Sequence, residues 1–241
     1  MNPPKPLVGT PPLVPDFWSL FVQAVLELTA AAYQELKPTK VSSEWPEDNF
    51  SLQLYELLKE PAKLHPLHLV VRHPHPVRTP AMLTNDQSLK ESAEIDISLH
   101  GTWQGYDYDR IYFAWEAKLL VDHAHRDKPE HERLKREYIT KGIFRFIDGK
   151  YAADVGEAGM LGYILYGEAS SIVDELNSTM LRSHAVPGSP ASTPSRALTV
   201  ADNLQPAVPI GSFSDIYVSH HDRASGRQIK LYHLLLTFDF T

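Results

Sequence analysis

The chain has 241 residues, 43% of them hydrophobic and 22% charged, which is enough apolar material to build a core in one large domain or two small ones. A formal net charge of −7 argues against broad, nonspecific attachment to nucleic acid, yet the cations gather in HERLKREYITKGIFR (131–145) and leave room for a local basic groove. There is no cysteine, so disulfides and thiolate-bound zinc or iron–sulfur centres are excluded, and any metal must rest on carboxylates or histidines.

The first residues, MNPPKPLVGTPPLVP, are too proline-rich for the apolar segment of a signal peptide, and no stretch has the apolar length of a bilayer span. The expected location is cytoplasmic, with no membrane partner. Asp16 can cap a helix in which Phe17, Leu20, Phe21, Ala24, Val25, Leu28 and Ala32 recur at helical spacing. Residues 1–43 therefore read as a leader and a packing helix. EWPEDNFSLQLYELLKEP (44–61) predicts a second helix, capped at Asp48 or Asn49 and stopped by Pro61.

LHLVVRH (67–73) and AEIDISLH (93–100) read as strands, the latter placing Ile95, Ile97 and Leu99 on one face and Glu94, Asp96, Ser98 and His100 on the other. After the polar loop GTWQGYDYDR, a strand at 111–121 is expected to return antiparallel beside it. Pro129 suits the first turn of a helix reaching about residue 145 and ending near Asp148-Gly149, and Gly142 inside it suggests close approach of another backbone. GMLGYILYG (159–167) predicts a buried strand and 168–184 a helix. The composition of 186–211 is that of a long, flexible loop, and two strands close the chain around a turn at Asp222–Gly226. This order predicts an α/β sandwich with a mixed sheet flanked by helices.

Within the strand YFAWEAKLL (112–120), alternation puts Glu116 and Lys118 on one face and Phe113, Trp115, Ala117 and Leu119 on the other. Two charges in so apolar a strand form either an ion pair or a site, because burying either alone costs several kcal/mol. Asp96, on the neighbouring strand, is expected to share their polar face. Two close carboxylates point to a hard divalent cation such as Mg²⁺, which needs oxygen ligands and serves phosphodiester hydrolysis. The alternative is a cross-strand charge cluster on a solvated face.

The arrangement IDIS, loop, WEAK resembles the PD-(D/E)xK superfamily of nucleases, in which an Asp on one strand is followed on the next by Glu-x-Lys. The resemblance implies a restriction-endonuclease-like core over 44–241. It implies Mg²⁺ or Mn²⁺ on Asp96 and Glu116, Lys118 positioning the attacking water, and an auxiliary acid at Glu47, with Glu44 and Glu56 as alternatives. The superfamily's common Pro before the Asp is missing here. A looser similarity of the second half to bacterial phage-defence nucleases implies an effector that cleaves DNA. With no nucleotide-binding motor motif in the chain, the expected partner is a helicase or ATPase subunit, or further copies of itself. The other reading consistent with this resemblance is a catalytically inactive nuclease fold kept as a binding or sensor subunit.

Three further groups stand out. Tyr138, Lys141 and Arg145 fall at helical spacing and read either as one face toward a nucleic acid or as a solvated helix surface. His73 and His75, and His123 and His125 with His131 beyond, have spacing compatible with zinc or with polar loops. Ser219, His221 and Arg223 alternate on a strand and read as a phosphate or ligand contact, or as ordinary hydrogen-bonding residues. No nucleophile elbow supports a serine hydrolase.

Overall fold

The computed structural model describes residues 15–37, 41–76, 94–101, 112–125, 130–182, 197–223, 225–238 and 240. Helix α1 is Pro15–Leu36 and α2 is Glu47–Leu64. The strands are β1 Leu69–Arg72, β2 His75–Pro76, β3 Glu94–Ile95, β4 Ile97–Gly101 and β5 Tyr112–Val121, followed by β6 Glu157–Tyr166, β7 Gln205–Pro206, β8 Ile216–Asp222 and β9 Gln228–Thr237. Between β5 and β6 lie α3 (His131–Glu137), a π-helical segment (Tyr138–Ile143) and α4 (Phe144–Ile147); α5 (Ala169–Arg182) follows β6.

Seven strands make one mixed sheet in the order β1-β4-β5-β6-β9-β8-β7, with β5, β6 and β9 parallel at its centre. β4 and β5 pair antiparallel, Ile97 opposite Trp115 and His100 opposite Tyr112, as the intervening loop predicts. Alternation along β5 and β6 then divides the core in two. Phe113, Trp115, Leu161 and Tyr163 pack with Phe21, Val25 and Tyr33 of α1 and with Phe50, Leu54 and Leu58 of α2. Leu120, Met160 and Ile164 pack on the other face with Tyr138, Ile139, Ile143, Ile172 and Leu176. Each fully buried side chain of this size contributes roughly 1.5–3 kcal/mol relative to exposure, so both helical layers are held by the sheet's central strands. Gly159 faces Trp115 so closely that a Cβ there would collide with the indole, and glycine is what lets that ring lie flat on the sheet.

Several sequence expectations are corrected. Asp16 lies within α1, not ahead of it. The N-cap of α2 is Pro46, so Asp48 lies in the first turn and does not cap; nor does Asn49, whose N–H donates to Pro46 O. Pro61 does not stop the helix, which runs on to Leu64: proline forfeits a single N–H, and burial of Ala62 keeps the last turn wound. The strand at 93–100 is broken at Asp96, which turns Ile95 into the opposite apolar cluster from Ile97 and Leu99. Gly142 makes room for the side chain of Met160, whose methyl would collide with any added Cβ, and not for a backbone. Of the segment expected to be one long loop, 197–211 holds a 3₁₀ turn at Val200–Asp202, boxed by Thr199 and Asp202, and the edge strand β7. Residues 183–196, the polar loop at 102–111 and Pro129 lie outside the described residues.

Candidate functional site

The ladder between β4 and β5 ends at Ile97–Trp115, although β5 continues for six more residues. Continuing the register would set Ile95 against Ala117. Ile95 pairs instead with His75 in a separate two-stranded sheet, so β3 peels away and a notch opens beside Ala117. At a strand residue the N–H and C=O point the same way, so both polar groups of Ala117 face this notch. Asp96 Oδ2 accepts the N–H at 2.6 Å, and the Lys118 ammonium donates to the C=O. The site is thus a sheet defect closed by two charged side chains.

Lys118 Nζ also reaches Glu116 Oε1 at 2.9 Å and Glu47 Oε1 at 2.7 Å, tying β5 to the first turn of α2. Glu47, Asp48 and Asp96 each present a carboxylate oxygen within 4.8 Å of the others. Glu116 and Lys118 are both buried, Asp48 is exposed, and Glu116 Oε2 has no hydrogen-bond partner among the described residues. The three grouped carboxylates are an acceptor set for a hard cation, and the unpartnered Glu116 Oε2 is a further buried acceptor within electrostatic reach of Asp96. Burial first, and then the Asp96 carboxylate, push the Glu116 pKa up to about 8. Burial likewise raises Asp96 and Glu47, with Lys118 opposing it in both. Burial alone would lower Lys118, but Glu116, Glu47 and Asp96 outweigh it and hold the ammonium above its ordinary range.

The sequence-predicted residues Asp96, Glu116, Lys118 and Glu47 therefore meet. Asp48 is a carboxylate that sequence reasoning assigned to capping; its place next to Glu47 in the sequence was the available signal. Glu116 is outside the three-carboxylate group and joins it through Lys118.

The expected cationic helix face is divided. Arg145 points to the site, 3.7 Å from Glu116 Oε1, while Lys141 is exposed and paired with Glu137 at 2.7 Å. Tyr138 is fully buried with its hydroxyl 2.9 Å from His233 Nδ1, which removes it from any nucleic-acid surface. The cause is the π-helical segment, whose i→i+5 winding rotates the helix between Tyr138 and Arg145 away from regular α spacing.

Ser219, His221 and Arg223 are buried as well and offer no phosphate contact. Ser219 Oγ lies 2.7 Å from both His221 Nε2 and His233 Nε2, and His221 Nδ1 lies 2.8 Å from Asp202 Oδ1. With an ionised Asp202 as acceptor, every donor is satisfied in one direction: Tyr138 to His233, His233 to Ser219, Ser219 to His221, His221 to Asp202. Arg223 donates Nε to Phe146 O and its Nη atoms to Ala152, Ala153 and Val155 carbonyls at 2.9–3.1 Å, bracing a loop in which Ala152 has φ 50°.

The histidine pairs separate too. His73 Nδ1 meets the Asp96 carbonyl at 2.5 Å, whereas His75 packs against His100 and Tyr112. His123 and His131 have ring centres 5.5 Å apart, and the His125 side chain lies outside the described residues. No histidine belongs to the three-ligand group found among the described residues.

No protein-family model, curated protein or solved structure matches this chain. Among the described residues, no helix is long and apolar enough to cross a membrane.

Proposed function

We propose that the chain is a metal-dependent nuclease with a restriction-endonuclease-like core of the PD-(D/E)xK type, hydrolysing phosphodiester bonds in DNA with Mg²⁺ or Mn²⁺. In this reading it is the effector of a bacterial phage-defence system and acts with a helicase or ATPase partner or with further copies of itself. One observation carries the nuclease reading: Asp96, Glu116 and Lys118 converge with Glu47 and Asp48 at the notch where β4 leaves β5. The defence role rests on sequence resemblance alone.

The residues suit the ion. Glu47, Asp48 and Asp96 would hold it through hard oxygen donors, and Glu116, outside that group, would join only by turning its unpartnered Oε2 toward the ion. When bound, the metal supplies an acidified water and charge stabilisation on phosphoryl oxygens. The chain's own part is positional. Lys118, whose three N–H donors are met here by Glu47, Glu116 and the Ala117 carbonyl, would position the attacking water by giving up one of these carboxylates to the ion, and its charge balances negative charge as it develops. Burial of Glu116 keeps bulk water from competing for that geometry.

The test is incubation of plasmid and linear DNA with Mg²⁺, Mn²⁺ or EDTA, using wild type, Glu116→Gln and Lys118→Ala. Cleavage is expected only with metal, and each substitution lowers it by about 100-fold or more. Glu116→Gln keeps an oxygen acceptor for Lys118 while removing the carboxylate charge, and melting curves on it separate lost cleavage from lost fold. Cleavage that survives EDTA or Glu116→Gln sinks the reading. A wild type that binds DNA or a partner without cutting, and does so equally after Asp96→Ala, points to the inactive binding or sensor subunit.

A further inference from the structure

Arg145 does not complete an ordinary ion pair. Its guanidinium stands 3.7 Å from Glu116 Oε1, beyond hydrogen-bonding distance, while Lys118 holds that oxygen at 2.9 Å. Its Nη1 donates to the Tyr151 hydroxyl, and its guanidinium carbon lies 5.2 Å from the centre of the Tyr151 ring. The side chain is 37% exposed, although the Glu116 and Tyr151 beside it are buried.

The aim of this side chain is set by the fold around it. Arg145 O accepts the N–H groups of both Lys150 and Tyr151 at the end of α4, which brings Tyr151 back beside the guanidinium. Phe146 packs on the Tyr151 ring, and Arg223 braces the residues that follow. A planar guanidinium is thereby held beside Glu116, with Nη1 on the Tyr151 hydroxyl and part of it open to solvent. Such a group matches two oxygens of a phosphate better than a lone carboxylate, and an anion is what a cation bound by these carboxylates would bring beside it.

We infer that Arg145 binds a non-bridging oxygen of the scissile phosphodiester and that Tyr151 is the positioning residue that aims it. This rests on the nuclease reading. Lys141, spent on Glu137 at the exposed face of the same helix, takes no part.

The experiment measures steady-state cleavage of a defined oligonucleotide by wild type, Arg145→Ala, Arg145→Lys, Tyr151→Phe and the Arg145→Ala/Tyr151→Phe double variant. Melting curves are recorded on each. Arg145→Ala should lower kcat/KM by about 100-fold with an unchanged Mg²⁺ midpoint, and Arg145→Lys should restore part of the loss as a point charge without the fork. Tyr151→Phe should cost several-fold in the wild-type background and nothing further in the Arg145→Ala background, which a purely structural tyrosine would not obey. With single-diastereomer phosphorothioates, wild type should discriminate between the two and Arg145→Ala should lose most of that preference. If Arg145→Ala fails to fold, Arg145→Lys and Arg145→Gln carry the same comparison. An active wild type beside folded Arg145 variants that cleave within about twofold of it, or equal Tyr151→Phe losses in both backgrounds, overturns the assignment and leaves the nuclease reading standing. A wild type that cleaves with no divalent ion tested removes both.

Discussion

At the scale of single residues, the buried polar groups divide by whether a proton or charge is left without a partner. Along Tyr138, His233, Ser219, His221 and Asp202 each donor meets an acceptor, so this chain specifies packing between β8, β9 and the π segment. At Glu116, by contrast, Oε2 has no hydrogen-bond partner among the described residues. The difference has a consequence in pH. Burial, and then His221, hold the His233 pKa well below 6.5, so the folded chain keeps His233 neutral while the unfolded chain protonates it. Its contribution to stability is therefore full above about pH 6.5 and lost as pH falls below that value, at up to about 1.4 kcal/mol per pH unit. Melting temperatures recorded between pH 7.5 and 5 should fall, and His233→Asn should flatten the fall by one proton. Equal slopes in the two proteins would contradict the assignment. The sequence showed Ser219 and His221 as an alternating pair, but their partners lie 14 and 19 residues away, where spacing carries no signal.

At the scale of elements, the breaks in regular structure make the site. β3 leaves the ladder at Asp96, α2 begins at Pro46 without a side-chain cap, and the helix after β5 carries a π segment. Each break frees a polar side chain from a structural task and turns it toward the notch. Arg223 does the opposite: read from sequence as a ligand contact, it is consumed by four backbone carbonyls, and burial draws its pKa down to about 10 while leaving it charged at neutral pH. Replacing it with alanine removes a donor from four backbone carbonyls, of which Phe146 O and Ala152 O keep the N–H groups of Gly149 and Val155 while Val155 O loses its side-chain donor in a buried position, and it unbraces a loop with Ala152 in the left-handed region. The expected loss is about 2–5 kcal/mol, seen as a lower urea midpoint. DNA affinity measured well below that midpoint should stay at the wild-type value, whereas a phosphate contact at Arg223 would weaken it.

At the scale of the whole molecule, a net charge of −7 combined with the proposed phosphodiester site predicts weak binding that relies on a few contacts. Of the cations in the 131–145 segment, Arg133, Lys135 and Lys141 are paired with Glu130, Glu132, Glu137 or Glu175, which reduces what remains for a phosphate backbone. Affinity for duplex DNA in Ca²⁺ should consequently fall with log salt at a slope of about −2 to −4, that is, two to four phosphates neutralised. A slope near −8 would reveal a basic surface that these pairings deny, and a partner that lowers the apparent Kd without steepening the slope would supply the missing contact area. The sequence by itself determined the α/β order, the alternation that buries one face of β5, the antiparallel return of β5 beside β4, and the candidate set Asp96, Glu116, Lys118 and Glu47. Those features are written in periodicities of two and of 3.6 residues, which are local. Only the tertiary structure decided that Asp48 joins the carboxylates, that Tyr138 and Arg223 are interior, and that Arg145 faces Glu116 while Lys141 turns away. Those outcomes depend on where a strand peels from its neighbour and how a helix is wound, and both are set by packing between residues far apart in the chain.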